Sequence, residues 1–243
     1  EKQAMTEPRA VPHLIDRAAL RAALARALRG EPVEFLLDRV ADDVADRLRA
    51  VLRDFRDVAD VWTPGHGLQG FSQRQSAPPV HADMLDNDDE RLPFAPASLD
   101  LVVSALALHF ANDLPGVLAQ IRRALKPDGL FLAALLGGDT LTELRQSFAA
   151  AESEVEGGLS PRVLPFADLR DLGALLQRAG FALPVADVDR VVVRYADAFA
   201  LMHDLRRMGA TNVLTARRRA LLRRATLLRM AQIYADRFRD SGG

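Results

Sequence analysis

Short stretches of this chain carry residues able to do chemistry. In Thr63-Pro64-Gly65-His66-Gly67 the two glycines either let backbone approach a ligand closely or form a plain turn. Asp83 lies 16 positions beyond Gly67. That is near the roughly 20 at which a carboxylate accepts the hydroxyl protons of a ribose in such folds. Asp88 belongs to the acidic run 83–90, whose other reading is a solvated loop. Ser104, Leu106 and His109 lie at the end of one apolar run, and Asp139 and Thr140 beyond the end of another. Open α/β sheets bind ligands outside the carboxyl ends of their strands, so topology favours these positions. His109 has the chemistry of a base or a substrate holder, or is a packing histidine. The chain's 5 histidines are scattered, with no H-x-x-x-H pair, and no metal site is expected.

The elements that must position these residues follow from periodicity. Ile15, Leu20, Leu24 and Leu28 repeat at helical spacing with arginines between them. Phe35, Leu36, Val40, Val44, Leu48, Val51 and Leu52 mark a second amphipathic helix. Short strands are predicted over Val58–Trp62 and Val80–Met84. The run Leu99–Leu106 is nearly all apolar, as in a parallel strand buried on both faces. Leu114–Leu125 reads as a helix with Asp113 as its cap, stopped by Lys126-Pro127-Asp128-Gly129 before a buried strand Leu130–Leu136. Strand, helix, turn and strand at this spacing form a βαβ unit, so the sheet is parallel and doubly wound. Beyond it a helix near Leu141–Glu152 has Asp139 or Thr140 as its cap. Ala167–Ala179 is helical, Val185–Tyr195 alternates as a strand, Phe199–Met208 is helical, and Arg217–Arg237 is a long arginine-rich helix.

Composition narrows the function classes. A formal net charge of −1 gives no global field toward nucleic acid or anionic membrane. The absence of cysteine removes disulfides, thiolate nucleophiles and thiolate metal ligands. No apolar run reaches the ~18 residues of a membrane span. No signal-peptide pattern opens the chain, and a cytoplasmic location is expected. The arginines Arg217, Arg218, Arg219, Arg223, Arg224 and Arg229 read as a solvated face or a surface for an acidic partner.

The segments LPFAPASLDLVVSALALHF, LAQIRRALKPDGLFLAALLGGDTL and LLQRAGFALP, with EGGLSPR between the last two, resemble the methyltransferase-like assembly factors of respiratory complex I. More distantly the chain is similar to the malonyl-carrier-protein O-methyltransferase of biotin synthesis. The resemblance implies a Rossmann-like class I methyltransferase fold over 56–243, behind an N-terminal helical segment 1–55 and with a helical C-terminal segment. It implies S-adenosylmethionine as cofactor. Gly65 and Gly67 would then face the methionine part, Asp83 the ribose, Asp88 the adenine, and Ser104 and Leu106 the reacting centre. His109, Asp139 and Thr140 would lie on the substrate side. The chain departs from the pattern at Thr63, which replaces the first glycine, and at Val61, which holds the place of the opening acid. Asp60, one residue earlier, would point to the other face of the strand. Only four residues separate Asp83 from Asp88, whereas a βαβ crossover needs about 10–12. The region between 67 and 92 is thus short by one β-α unit.

Methyl transfer asks mainly for positioning and a deprotonated acceptor, so no catalytic base is identified. The expected function is an S-adenosylmethionine-dependent methyltransferase acting on a small-molecule or protein acceptor. Two alternatives stand beside it, the first implied by the resemblance and the second favoured by the departures at Val61 and Thr63 and the missing crossover. One is arginine hydroxylation or partner binding on a respiratory complex subunit. The other is a binding module that kept the sheet and lost the site.

Overall fold

The computed structural model describes residues 13–65, 79–86 and 88–238. Two helices come first, α1 (Arg17–Arg29) and α2 (Phe35–Ala50). Strands β1 (Val58–Val61), β2 (Val80–Ala82) and β3 (Leu99–Ala105) follow. Helix α3 (Leu114–Ala124) leads directly into β4 (Leu125–Ala134). Helices α4 (Thr142–Glu156), α5 (Leu169–Arg178), α6 (Ala198–Arg207) and α7 (Arg224–Phe238) complete the described chain.

The strands form one parallel sheet in the order β2-β1-β3-β4. This is the Rossmann-like, doubly wound α/β architecture expected. Its two cores follow from strand alternation. Val58, Leu101 and Val103 point to one face and pack with Val44 of α2 and with Phe55. Ala59, Val61 and Val102 point to the other, with Leu20 and Ala23 of α1 and Val117 and Ile121 of α3. Both N-terminal helices therefore cover the sheet itself. A separate cluster joins Leu144 and Phe148 of α4 to Met230 and Ile233 of α7.

Local signals explain the element ends. Asp113 caps α3 by accepting the Gly116 N–H at 2.9 Å, as expected. The Lys126-Pro127-Asp128-Gly129 stretch is a bulge inside β4 rather than a turn before it. Leu99 pairs with Leu125 and Leu101 already with Leu130. Asp128 sits there at φ +62°, and a Cβ on Gly129 would lie 2.9 Å from the Lys126 carbonyl oxygen, so only glycine fits.

Three expectations are corrected. Neither Asp139 nor Thr140 caps α4. Leu141 takes the cap position at φ +56° without a side-chain bond, and the Thr142 hydroxyl donates to the Asp139 carbonyl. Val185–Tyr195 is not a strand, because no neighbouring strand among the described residues supplies a hydrogen-bond ladder. Its aspartates instead pair with α2, Asp187 with Arg47 and Asp189 with Arg39. The last helix begins at Arg224 rather than Arg217. Arg217 and Arg219 reach Asp16, and Arg218 reaches Glu156. The acidic partners of these arginines belong to the chain itself.

Candidate functional site

The order β2-β1-β3-β4 reverses direction beside β1, and the carboxyl ends of β1 and β3 meet at that point. A ligand crevice in an open α/β sheet forms at such a switch point. Both strands leave it through a left-handed residue that is not glycine, Trp62 at φ +66° and Leu106 at φ +52°. Each such residue costs on the order of 1–3 kcal/mol, and strain of this kind concentrates at functional sites. The side chain of Ser104 is fully buried near the end of β3, and its Oγ has no hydrogen-bond partner among the described residues.

Around this point the chain closes on itself. Thr63 Oγ1 accepts the Ala105 N–H at 3.0 Å, tying the end of β1 to the end of β3. Arg17 of α1 places its guanidinium carbon 5.9 Å from the centre of the Trp62 ring. It donates to the Met84 carbonyl and lies 3.7 Å from the Glu90 carboxylate. Burial lowers the pKa of Arg17, with Glu90 and Asp88 acting against that shift. Arg17, Trp62, Thr63, Met84 and Glu90 are all buried. The mouth expected between the β1 and β2 ends is therefore filled by a side chain of α1.

Several of the other expected residues have partners of their own. Gly65 is exposed at φ +65°, and a Cβ there would meet Glu34 Oε1 at 3.3 Å. Gly67 lies outside the described residues. Asp83 is exposed just past β2, and its Oδ1 accepts the Leu85 N–H at 2.8 Å in its own turn. Asp88 is exposed and accepts from Arg21 at 2.6 Å. Asp139 is exposed and paired with Arg190 at 2.9 Å. The part-buried Thr140 offers its carbonyl to Arg145. His109 packs against Phe110 and Phe166, with ring centroids 4.3 and 5.7 Å away. Its Nδ1 is sealed from solvent without a partner among the described residues, and burial lowers its pKa to about 3. The ring is neutral near pH 7 and a weak base there, which suits packing better than proton transfer.

Sequence reasoning missed Arg17 and gave Glu90 only as part of the acidic run 83–90. Arg17 acts through a contact across 67 positions and Glu90 through contacts across 22 to 30, which no local pattern carries. Asp60 does point to the α2-side face of β1, as strand alternation required. Its Oδ2 lies 3.1 Å from His81 Nδ1, its partner in the β1–β2 register. Burial raises the pKa of Asp60, with hydrogen bonds from Thr63 and the charge of His81 opposing it. A raised carboxylate pKa means that stability falls as pH rises through the titration. Asp60→Asn should therefore raise Tm at pH 7, and the gain should shrink as pH falls toward the ordinary value of 3.8. Thermal melts of both proteins between pH 3.5 and 8 check this, and a loss of Tm at pH 7 contradicts it.

This geometry defines a Rossmann-like class I methyltransferase fold. Residues 49–133 match the family model described as "Methyltransferase domain". The chain is 39% identical to the mouse mitochondrial arginine-hydroxylase NDUFAF5, over 98% of this chain and 75% of that protein. It is 30% identical to the malonyl-[acyl-carrier protein] O-methyltransferase of Gallionella capsiferriformans, over 93% and 86%. An S-adenosylmethionine-dependent methyltransferase structure from Mesorhizobium loti superposes with a TM-score of 0.40 at 18% identity, covering 60% of this chain and 84% of that one. The chain thus belongs to the methyltransferase-domain family that includes these arginine-hydroxylases and O-methyltransferases.

S-adenosylmethionine is the cofactor this fold implies, and the strand ends meet its needs unequally. At β3 the unpartnered Ser104 hydroxyl and the left-handed turn at Leu106 suit a polar ligand held against backbone. At β2, Asp83 accepts within its own turn and Asp88 pairs with Arg21 at the surface.

Proposed function

We propose that this chain is an S-adenosylmethionine-dependent methyltransferase whose cofactor crevice is held shut by Arg17 in the conformation described. The observation that carries this reading is the buried, unpartnered Ser104 hydroxyl at the switch point of a methyltransferase-family sheet. When bound, the cofactor supplies an electrophilic methyl group to a deprotonated acceptor. The chain's own part is positioning. Thr63 fixes the distance between the ends of β1 and β3, Gly65 and Leu106 bring backbone to the ligand, and His109 packs as a neutral ring. Asp83, Asp88, Asp139 and Thr140 remain proposed contacts that loop rearrangement would have to bring in, and Gly67, outside the described residues, is a further proposed contact. The acceptor is a small molecule or a protein. No helix among the described residues is long and apolar enough to cross a membrane, and we place the protein in the cytoplasm.

A second reading rests on a specific observation. Thr63 occupies the switch point that a glycine would leave open, and Asp83 holds its own turn. Under that reading the chain acts on a respiratory complex subunit, by arginine hydroxylation or by binding alone, and methyl transfer is not its task.

Titration calorimetry of the full chain with S-adenosylmethionine and S-adenosylhomocysteine separates the two. The expected result is micromolar binding, weakened about tenfold by Ser104→Ala. That variant should melt no lower than the parent, because an unpartnered buried hydroxyl adds no stability. No heat with either ligand, together with recovery of a respiratory subunit by the bound chain, overturns the first reading in favour of the second.

A further inference from the structure

Helix α4 and the loop that follows it, with Leu14, Leu214 and Ala216, line a partly open cavity of about 520 Å³. That is within the range of small-molecule sites, roughly 300–1,000 Å³. Its wall is mostly apolar, with Leu14, Phe148, Leu159, Val163 and Leu214 among the lining residues. Two guanidinium groups, Arg145 and Arg162, line it, and among the described residues no carboxylate does.

The two arginines differ in what already holds them. Arg162 lies over the Phe148 ring at 5.5 Å, and its Nε donates to Glu152 at 2.8 Å. Glu152 is a buried carboxylate standing behind the wall. The charge of Arg162 is therefore neutralised from the protein side. Arg145 is part-buried and donates only to the Thr140 carbonyl, at 3.2 Å, among the described residues. Ser160 cannot offer a competing donor, because its N–H and its hydroxyl are both given to Glu152. One uncompensated cation remains, on the wall of an apolar chamber. A planar guanidinium fork matches a carboxylate in two parallel hydrogen bonds, and one positive charge balances a monoanion.

We propose that this cavity binds an apolar monocarboxylate, with its hydrocarbon body against Phe148, Leu159 and Leu214 and its carboxylate on Arg145. The site is distinct from the strand-end crevice and does not depend on the cofactor reading. It is nonetheless close to that crevice. Leu14 lines the cavity and Arg17 covers Trp62, and three residues of chain span at most about 11 Å.

The test is calorimetric titration of the full chain with decanoate, without cofactor, beside decanol and acetate. Decanoate should bind at least tenfold more tightly than either. Decanol lacks the charge and acetate lacks the body. Arg145→Met should weaken decanoate at least tenfold and leave decanol unchanged. Ala149→Phe fills the chamber from α4 without touching a charge and should abolish decanoate binding, with circular dichroism confirming that the variant is folded. Equal affinity for decanoate and decanol overturns the proposal, as does full decanoate binding by Arg145→Met. Absence of decanoate binding to the parent chain overturns it whatever the result with S-adenosylmethionine.

Discussion

Glu152→Ala is expected to lower the unfolding free energy by about 3–5 kcal/mol, the usual range for removing one partner of a buried ion pair. Glu152 is 1% exposed. One carboxylate oxygen accepts the Ser160 N–H at 2.7 Å. The other accepts the Ser160 hydroxyl at 2.7 Å, Arg162 Nε at 2.8 Å and Arg162 Nη2. Alanine would leave the Arg162 charge, whose side chain is 14% exposed, without its counter-ion. It would also free the loop that Glu152 fastens to α4. Glu152→Gln keeps the shape and part of the bonding, so its loss should be smaller.

The same carboxylate sets a pH dependence. Burial alone would raise the pKa of Glu152, but the Ser160 and Arg162 hydrogen bonds outweigh burial and hold it below the ordinary 4.5. A lowered carboxylate pKa gives stability that is present above the unfolded value and lost as pH falls through the folded one. The gap between parent and Glu152→Ala, measured by urea denaturation, should be full at pH 7 and narrow below pH 4.5. A gap under 1 kcal/mol at pH 7 would show that the cluster behaves as a surface pair.

Much of the scaffold was legible because it rests on local pattern. β3 is a run of seven residues with one polar aspartate and one serine, and both its faces are buried. The cap at Asp113 and the apolar stripe Val117, Leu118 and Ile121 specify α3 without reference to anything distant. Val185–Tyr195 shows the limit. Alternation encodes two faces, but a strand also needs an edge to pair with. Val185 and Val192 instead stay exposed. The helix boundary at Arg224 failed for a related reason, because Arg217 and Arg218 are claimed by Asp16 and Glu156 before they can join a helix. Topology placed Ser104 and Leu106 correctly at the strand ends. It could not show that Arg17, one of several arginines between leucines, would be the residue drawn inward.

The expected consequence of Glu90→Gln joins stability to access. Glu90 is held at φ +55° and is 5% exposed. Its two carboxylate oxygens accept the Asn112 and Asp113 N–H groups at 2.8 and 2.9 Å, just ahead of α3. A negative charge there also complements the α3 dipole. Its backbone carbonyl accepts Gln120 Nε2, which pins the long β2–β3 connection to α3. A neutral amide cannot accept at both oxygens, and it removes the charge that faces Arg17. A loss of about 3–5 kcal/mol follows from the broken ion pair and one orphaned N–H.

If Arg17 is what shuts the crevice, the same change should loosen it. Trp62 is the chain's only tryptophan, so its emission reports on this contact alone. Glu90→Gln should shift that emission to the red under conditions where the protein remains folded, and S-adenosylmethionine should bind the folded variant more tightly than the parent. Arg17→Met, which keeps bulk without charge, separates the two roles. If Arg17 is a latch, that variant should also bind tighter. If Arg17 only braces α1 against the β2–β3 connection, both variants would lose stability with no gain in cofactor affinity, and the closed crevice would then be the protein's working state.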